Sequence, residues 1–208
     1  MLIIKPSIVI EDKLDAQYIM SKIEKIGRVC YKSEDKITPD SSNKFIKNIL
    51  NMGHESIIEH CSLSVRVICD RGVSHEIVRH RIASYSQEST RYCNYSTDKF
   101  NNELTFIMPC FMDEDDPKFF VWKSMMQHAE DAYKKMVELG ATPEEARSIL
   151  PNSLKTELVM TMNLREWRHF FKLRTSKRAH PQMREVANLI LTEFQKELPV
   201  IFNGFGED

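Results

Sequence analysis

Glycine is scarce in this sequence, with only six in 208 residues, and neither GxGxxG nor GxxxxGKS/T occurs. A Gly-rich loop of backbone N–H groups therefore cannot cradle a phosphate in either familiar way, and any anion must be held mainly by side chains. GxSxG is missing too, which argues against a serine hydrolase. The five cysteines, Cys30, Cys61, Cys69, Cys93 and Cys110, are odd in number and show no CxxC spacing. They signal neither a disulfide framework nor a zinc ribbon and read as reduced thiols. An excess of either charge is also lacking. The 29 basic and 30 acidic residues leave a formal net charge of -1, so no chain-wide field draws the protein to nucleic acid or anionic lipid. No apolar run is long enough for a membrane. The opening MLIIKPSIVIEDKLD is broken by Lys5 and Pro6 and suits neither a signal peptide nor a span, so a cytoplasmic protein is expected.

What is present fits one globular domain over residues 1–208, with 42% apolar and 28% charged residues and no repeat or long linker. The flexible joint is expected at Asp113 to Asp116. Apolar residues recur at helical spacing over 14–27, ending at Gly27, and over 41–52, ending at Gly53. From Cys61 to Cys69 the period changes to two, with Leu63, Val65 and Val67 alternating with Ser62, Ser64 and Arg66, which predicts a half-buried strand. Ser74 is read as the cap of a helix with Ile77, Val78 and Ile82 on its apolar side, so that Arg79, His80 and Arg81 lie near its end. A long helix is expected over 116–139, a shorter one from Pro143 to before Pro151, and a second strand over 154–162. Asn163 with Glu166 resembles a capping box opening a helix that carries Trp167, Phe170, Phe171 and Leu173. A last helix is expected over 181–198. Strands and helices mixed without regular alternation predict an α+β fold.

Two segments carry the chemistry. GHESIIEH, Gly53 to His60, invites comparison with the zinc motif HExxH, but His54 and His60 are six apart rather than four, so they do not share a helical face. No metal is expected, and His54 is left as a ligand-facing possibility. RHRIASYSQESTR, Arg79 to Arg91, is different. Between Arg71 and Arg91 stand four arginines, with His75 and His80, against Glu76 and Glu88. Guanidinium forks bind phosphate oxygens bidentately and stay charged at any working pH, and Ser84, Ser86, Ser89 and Thr90 add neutral donors and acceptors. The same chemistry returns in Arg147, Arg165, Arg168 and Arg174. Composition alone takes these residues to an anionic-ligand site.

Read in order, GHESIIEH with its following strand, RHRIASYSQESTRY, EEARSILP and NLREWRHFFKLR with HPQMRE resemble the flavin-dependent thymidylate synthases over roughly residues 28–195. The resemblance implies an α+β fold with a mainly antiparallel sheet, and a homotetramer with active sites where subunits meet. It implies conversion of dUMP to dTMP, with 5,10-methylenetetrahydrofolate as carbon donor and NADPH as reductant through FAD. Carried over by position, Arg79, His80 and Arg81 look like flavin contacts, together with Ser56, Gln87, Asn163, Arg165 and His169, while His54 looks like a residue on the flavin and folate side. The nucleotide would be held by Glu76, Arg79, Gln87, Glu88, Ser89, Thr90, Arg91, Arg147 and Arg174. Arg174 is the expected catalytic residue, stabilising negative charge on the pyrimidine N3/O4 edge, and no cysteine adduct is implied. Glu76, Gln87 and His169 stand where glutamine, glutamate and asparagine are common in that family. Those changes motivate the alternative of a non-catalytic nucleotide-binding protein on the same scaffold.

Overall fold

Two runs with period-two patterning, SLSVRVICD and KTELVMTMN, form the longest strands, β3 (Ser62–Asp70) and β6 (Lys155–Asn163). The structure is a computed structural model and describes residues 1–206. In β3 the apolar set Leu63, Val65, Val67 and Cys69 is buried, and in β6 the set Thr156, Leu158, Met160 and Met162, as alternation across a pleat requires. These strands are central in a four-stranded sheet of order β2-β3-β6-β4, with β2 (Ser7–Ile10) and β4 (Ser84–Gln87) at its edges. A parallel pair joins β1 (Leu2–Ile4) to β5 (Thr105–Ile107), with Leu2 opposite Thr105. The helices are α1 (Ala16–Val29), α2 (Ser41–Asn51), α3 (Arg71–Ile77), α4 (Pro117–Glu138), α5 (Pro143–Ala146), α6 (Leu164–Arg174), α7 (Pro181–Glu197) and α8 (Pro199–Phe202). Mixed helices and an antiparallel sheet make the fold α+β.

The chain forms two compact units, and β3 and β6 are divided between them in sequence. The first comprises Met1–Ser7, Val67–Arg79 and Tyr85–Val159. Its core gathers Tyr95, Leu104, Phe106, Met126, Tyr133, Ala146 and Leu154. The second comprises Ile8–Arg66, His80–Ser84 and Met160–Asp208. Its core is built on α6, where Trp167 stacks on Phe171 at 5.7 Å between centroids and meets Phe170 and Phe194 edge-on. The Trp167 indole donates to the Leu63 carbonyl at 3.1 Å, which satisfies its one polar atom and ties α6 to β3.

Several expectations change. The helix after β3 is capped by Asp70, which accepts from the Val73 amide at 2.8 Å, while Ser74 is buried inside it. α3 accordingly ends at Ile77, so Arg79 to Arg81 lie beyond it, Val78 and Ile82 are exposed, and Ser84–Gln87 forms an edge strand. Leu173, which α6 carries as expected, is 47% exposed. The N-terminal apolar residues, given no element from the sequence, form β1 and β2.

Gly53 and Gly140 end their helices at positive φ, as expected. Gly27 does not stop α1, which runs on to Val29. Its role is close approach, since a Cβ there would stand 2.8 Å from Phe45 Cε1. The Phe45 ring lies under the Arg28 guanidinium, 4.6 Å from its centroid, and Arg28 is itself fixed by the buried Glu24 carboxylate at 2.8 Å. Helix propensity alone would make Gly27→Ala stabilising by about 1 kcal/mol, but overpacking costs about 1–3 kcal/mol. We therefore expect Gly27→Ala to lower stability by about 1 kcal/mol net. Urea unfolding measures it, and a stabilised variant would show that the ring gives way freely.

Candidate functional site

The second unit contains a cavity of about 950 Å³ lined by Glu55, Glu59 and Ile82, by seven residues from Asn163 to Thr175, and by Asn203 to Gly206. That volume lies at the upper end of ligand pockets, which suits a large ligand rather than a small one. α6 supplies most of the wall. Asn163 accepts from the Glu166 amide at 2.9 Å and starts the helix. Arg165, Arg168, His169 and Lys172 then follow at three- and four-residue intervals, which puts them on one face, while Trp167, Phe170 and Phe171 are turned into the core. Of the cations, Arg165 is bound to Glu59 at 2.5 Å and lies 3.7 Å from Glu55. Arg168 is bound to Glu55 at 3.1 Å, donates to the Ile201 carbonyl and lies over the Phe205 ring. The donor set thus fits an anionic, partly aromatic cofactor such as FAD, provided that it draws Arg165 from its carboxylates or uses Lys172.

Next to this wall, His80 is only 4% exposed and bridges two charged residues. Arg174 Nε donates to His80 Nε2 at 3.0 Å, and His80 Nδ1 lies 3.2 Å from Glu166 Oε1. An arginine Nε–H can only donate, so Nε2 must present its lone pair and the ring proton must sit on Nδ1, directed at Glu166. Burial, followed by the positive charges of Arg174 and His169, lowers the His80 pKa from 6.5 to about 4. Burial raises that of Glu166, with His169 opposing. At neutral pH the contact is therefore a neutral imidazole donating to Glu166 and not an ion pair. Nitrogens of His80 and His169 and an oxygen of Glu166 lie within 4.8 Å of one another. As a metal set they are compromised, because the Nε2 lone pair of His80 is directed at Arg174, whose charge also repels a cation.

Of the residues expected at the flavin, the second unit thus brings together His80, Asn163, Arg165 and His169. His54, Ser56 and Arg81 belong to the same unit but are exposed and absent from the cavity lining. His54 lies 3.4 Å from the Tyr31 hydroxyl. The neighbours of Ser56, Glu55 and Glu59, line the cavity instead. No motif marks either carboxylate in the sequence, although the two are four residues apart, at helical spacing.

The nucleotide set, Arg174 apart, lies in the first unit. Arg79 is exposed there. Gln87 spends its amide on Ser74 Oγ at 3.0 Å and Thr156 Oγ1 at 3.1 Å. Glu88 accepts from the Tyr95 hydroxyl at 2.8 Å and from Lys155 at 2.7 Å, while its own amide donates to the Glu157 carbonyl. Its carboxylate anchors the loop that carries Ser89, Thr90 and Arg91. Burial, then the Glu88 charge, pushes the Tyr95 hydroxyl well above the usual phenol range, so it remains a donor. Arg147 Nη1 reaches Thr90 Oγ1 at 3.5 Å. Glu76 lies in α3, half-buried. No short motif announced Tyr95 or Lys155, whose part depends on strand pairing.

A family model described as Thymidylate synthase complementing protein matches residues 16–200. A flavin-dependent thymidylate synthase of Pyrococcus furiosus is 41% identical over 171 residues, 82% of this chain and 69% of that one. One of Geobacter sulfurreducens is 36% identical over 187 residues, 86% and 79% of the two chains. Among solved structures, a UMP/dUMP methylase from Streptomyces cacaoi bound with 5-Br dUMP superposes with a TM-score of 0.78, covering 99% of this chain and 98% of that one. At 23% identity this likeness speaks for the fold.

The neutral His80 sets a pH dependence. Between its folded value of about 4 and the ordinary 6.5, the unfolded chain binds a proton that the folded one does not. Its contribution is complete above pH 6.5 and is lost as the pH falls towards 4, by roughly 3 kcal/mol at most. Glu166, shifted upward, works in the opposite sense and offsets part of this. Urea unfolding at intervals from pH 7.5 to 4.5 should show the decline, and His80→Gln should flatten it. An equal slope in the variant would remove His80 as its source.

Proposed function

The chain belongs to the family of flavin-dependent thymidylate synthases, and on that premise we propose that it converts dUMP to dTMP. The carbon comes from 5,10-methylenetetrahydrofolate and the reducing equivalents from NADPH through FAD. Family membership over residues 16–200 carries this reading. The whole chain acts as one catalytic domain, assembled as a homotetramer in the cytoplasm; no helix among the described residues is long and apolar enough to cross a membrane.

When bound and reduced by NADPH, FAD would supply the hydride that reduces the uracil ring. The α6 face with Asn163, Arg165 and His169, the neighbouring His80, and His54, Ser56, Arg79, Arg81 and Gln87 bind it. Ser89, Thr90, Arg91 and Arg147 hold the nucleotide, together with Glu76, Arg79 and Gln87. Glu88 is assigned to positioning this loop, because Tyr95 and Lys155 occupy its carboxylate. Arg174 is the catalytic residue: its guanidinium is oriented through Nε by a neutral imidazole and stabilises charge developing on the N3/O4 edge. A protonated His80 would lose the acceptor and repel the guanidinium, so the low His80 pKa keeps Arg174 in place at working pH. None of the five cysteines has a part in the reaction. Burial raises the thiols of Cys61 and Cys69 and keeps them protonated.

Purified protein should be yellow and should form dTMP from dUMP when given methylenetetrahydrofolate and NADPH. A colourless protein that takes up no FAD and makes no dTMP would sink the proposal. Nucleotide binding without flavin reduction would point to a non-catalytic binding protein. Arg174→Ala should lower kcat by about 10²–10³-fold while the flavin spectrum persists. Retained activity in that variant would move the role elsewhere.

A further inference from the structure

The guanidinium that ends the Glu88–Arg91 loop already holds a carboxylate. Arg91 Nε lies 3.0 Å from Glu144 Oε1, and Arg91 Nη2 donates to Glu144 Oε2 at 3.2 Å. This is the two-pronged geometry with which an arginine fork takes carboxylate and phosphate alike. Among the described residues Glu144 has no other hydrogen-bond or ion-pair partner. The N-terminus of that helix is closed by its neighbour Glu145, whose carboxylate accepts from the Thr142 amide at 2.8 Å while Thr142 Oγ1 accepts from the Glu145 amide. The two partners are 47% and 53% exposed, so water screens the pair and its net strength is small. Arg147, from the turn after α5, reaches the adjacent Thr90. One short segment therefore sends an anion and a cation to the same loop.

We propose that Glu144 is a specificity residue that competes with the nucleotide phosphate for Arg91. This rests on the reading of Arg91 and Arg147 as phosphate ligands. Exchanging the Glu144 carboxylate for another monoanion gains nothing at that fork. A phosphate monoester, with a charge between -1.5 and -2 at about neutral pH and a further oxygen for Arg147, wins the exchange. Glu144 thereby selects nucleoside monophosphates over singly charged anions, at the cost of some affinity. The exposure of the pair lets it open without disturbing the core, and Thr142 with Glu145 keeps α5 formed when Glu144 swings away.

The test is Glu144→Gln in the FAD-loaded protein, with dUMP and inorganic phosphate as probes. The variant should bind dUMP about two- to fivefold tighter, the range expected on removing a competing exposed ion pair. Inorganic phosphate should compete with dUMP at correspondingly lower concentration, and the melting temperature should stay near that of the parent. Unchanged or weaker dUMP binding overturns the proposal, as does a gain for dUMP with none for phosphate. If the parent protein binds no dUMP at all, the functional reading falls and this inference with it. If the parent binds dUMP and the variant matches it, only the inference falls.

Discussion

An arginine Nε–H has a proton to give and no lone pair to offer, so its 3.0 Å contact with His80 Nε2 requires an acceptor there. That one requirement sets the tautomer, directs the Nδ1 proton to Glu166 and makes a charged imidazole incompatible with the arrangement. Burial enforces it, because desolvation disfavours the imidazolium and the nearby cations disfavour it further. The Phe170 ring, 5.0 Å from the imidazole, forms part of that dry surrounding. α6 supplies Glu166, Phe170 and Arg174 from a single eleven-residue helix, so fixing α6 fixes three of the four parts. Trp167, stacked in the aromatic core and bonded to the Leu63 carbonyl, is what fixes α6.

The cavity beside this arrangement is electrostatically balanced. Arg165 and Arg168 face Glu55 and Glu59, so its cations are pre-positioned by carboxylates that a ligand must outcompete. The Arg91 pair repeats the pattern in the first unit. A chain with almost no net charge and few glycines holds its arginines with side-chain carboxylates, and selectivity then depends on what can displace them. Glu88 is the exception. Tyr95 is buried and Lys155 largely so, and Glu88 acts as scaffold in spite of its place within the motif.

Period and composition made the main elements readable. The alternation in Ser62–Asp70 and Lys155–Asn163, and the helical spacing of Trp167, Phe170 and Phe171, depend only on which residues suit a buried face, and that is written locally. Caps were less readable. Asp70 and Ser74 are both good N-cap residues, and the choice between them followed from where β3 ends, which shifted Arg79 to Arg81 out of the helix. Gly27 looked like a stop because a glycine's need for space cannot be distinguished, in sequence, from its tolerance of positive φ. Phe45 decided it.

The sequence by itself determined the chemistry on offer: arginine forks, hydroxyl donors, no Gly-rich cradle, and motifs in an order that belongs to one family. Which of those groups remain available to a ligand was decided by the tertiary structure. His80 and Arg174 are 94 residues apart and Glu88 and Lys155 are 67 apart, so neither pairing leaves a local signal. Protonation states and ion-pair partners depend on distances of a few ångströms, and only the packing of helices and strands sets those.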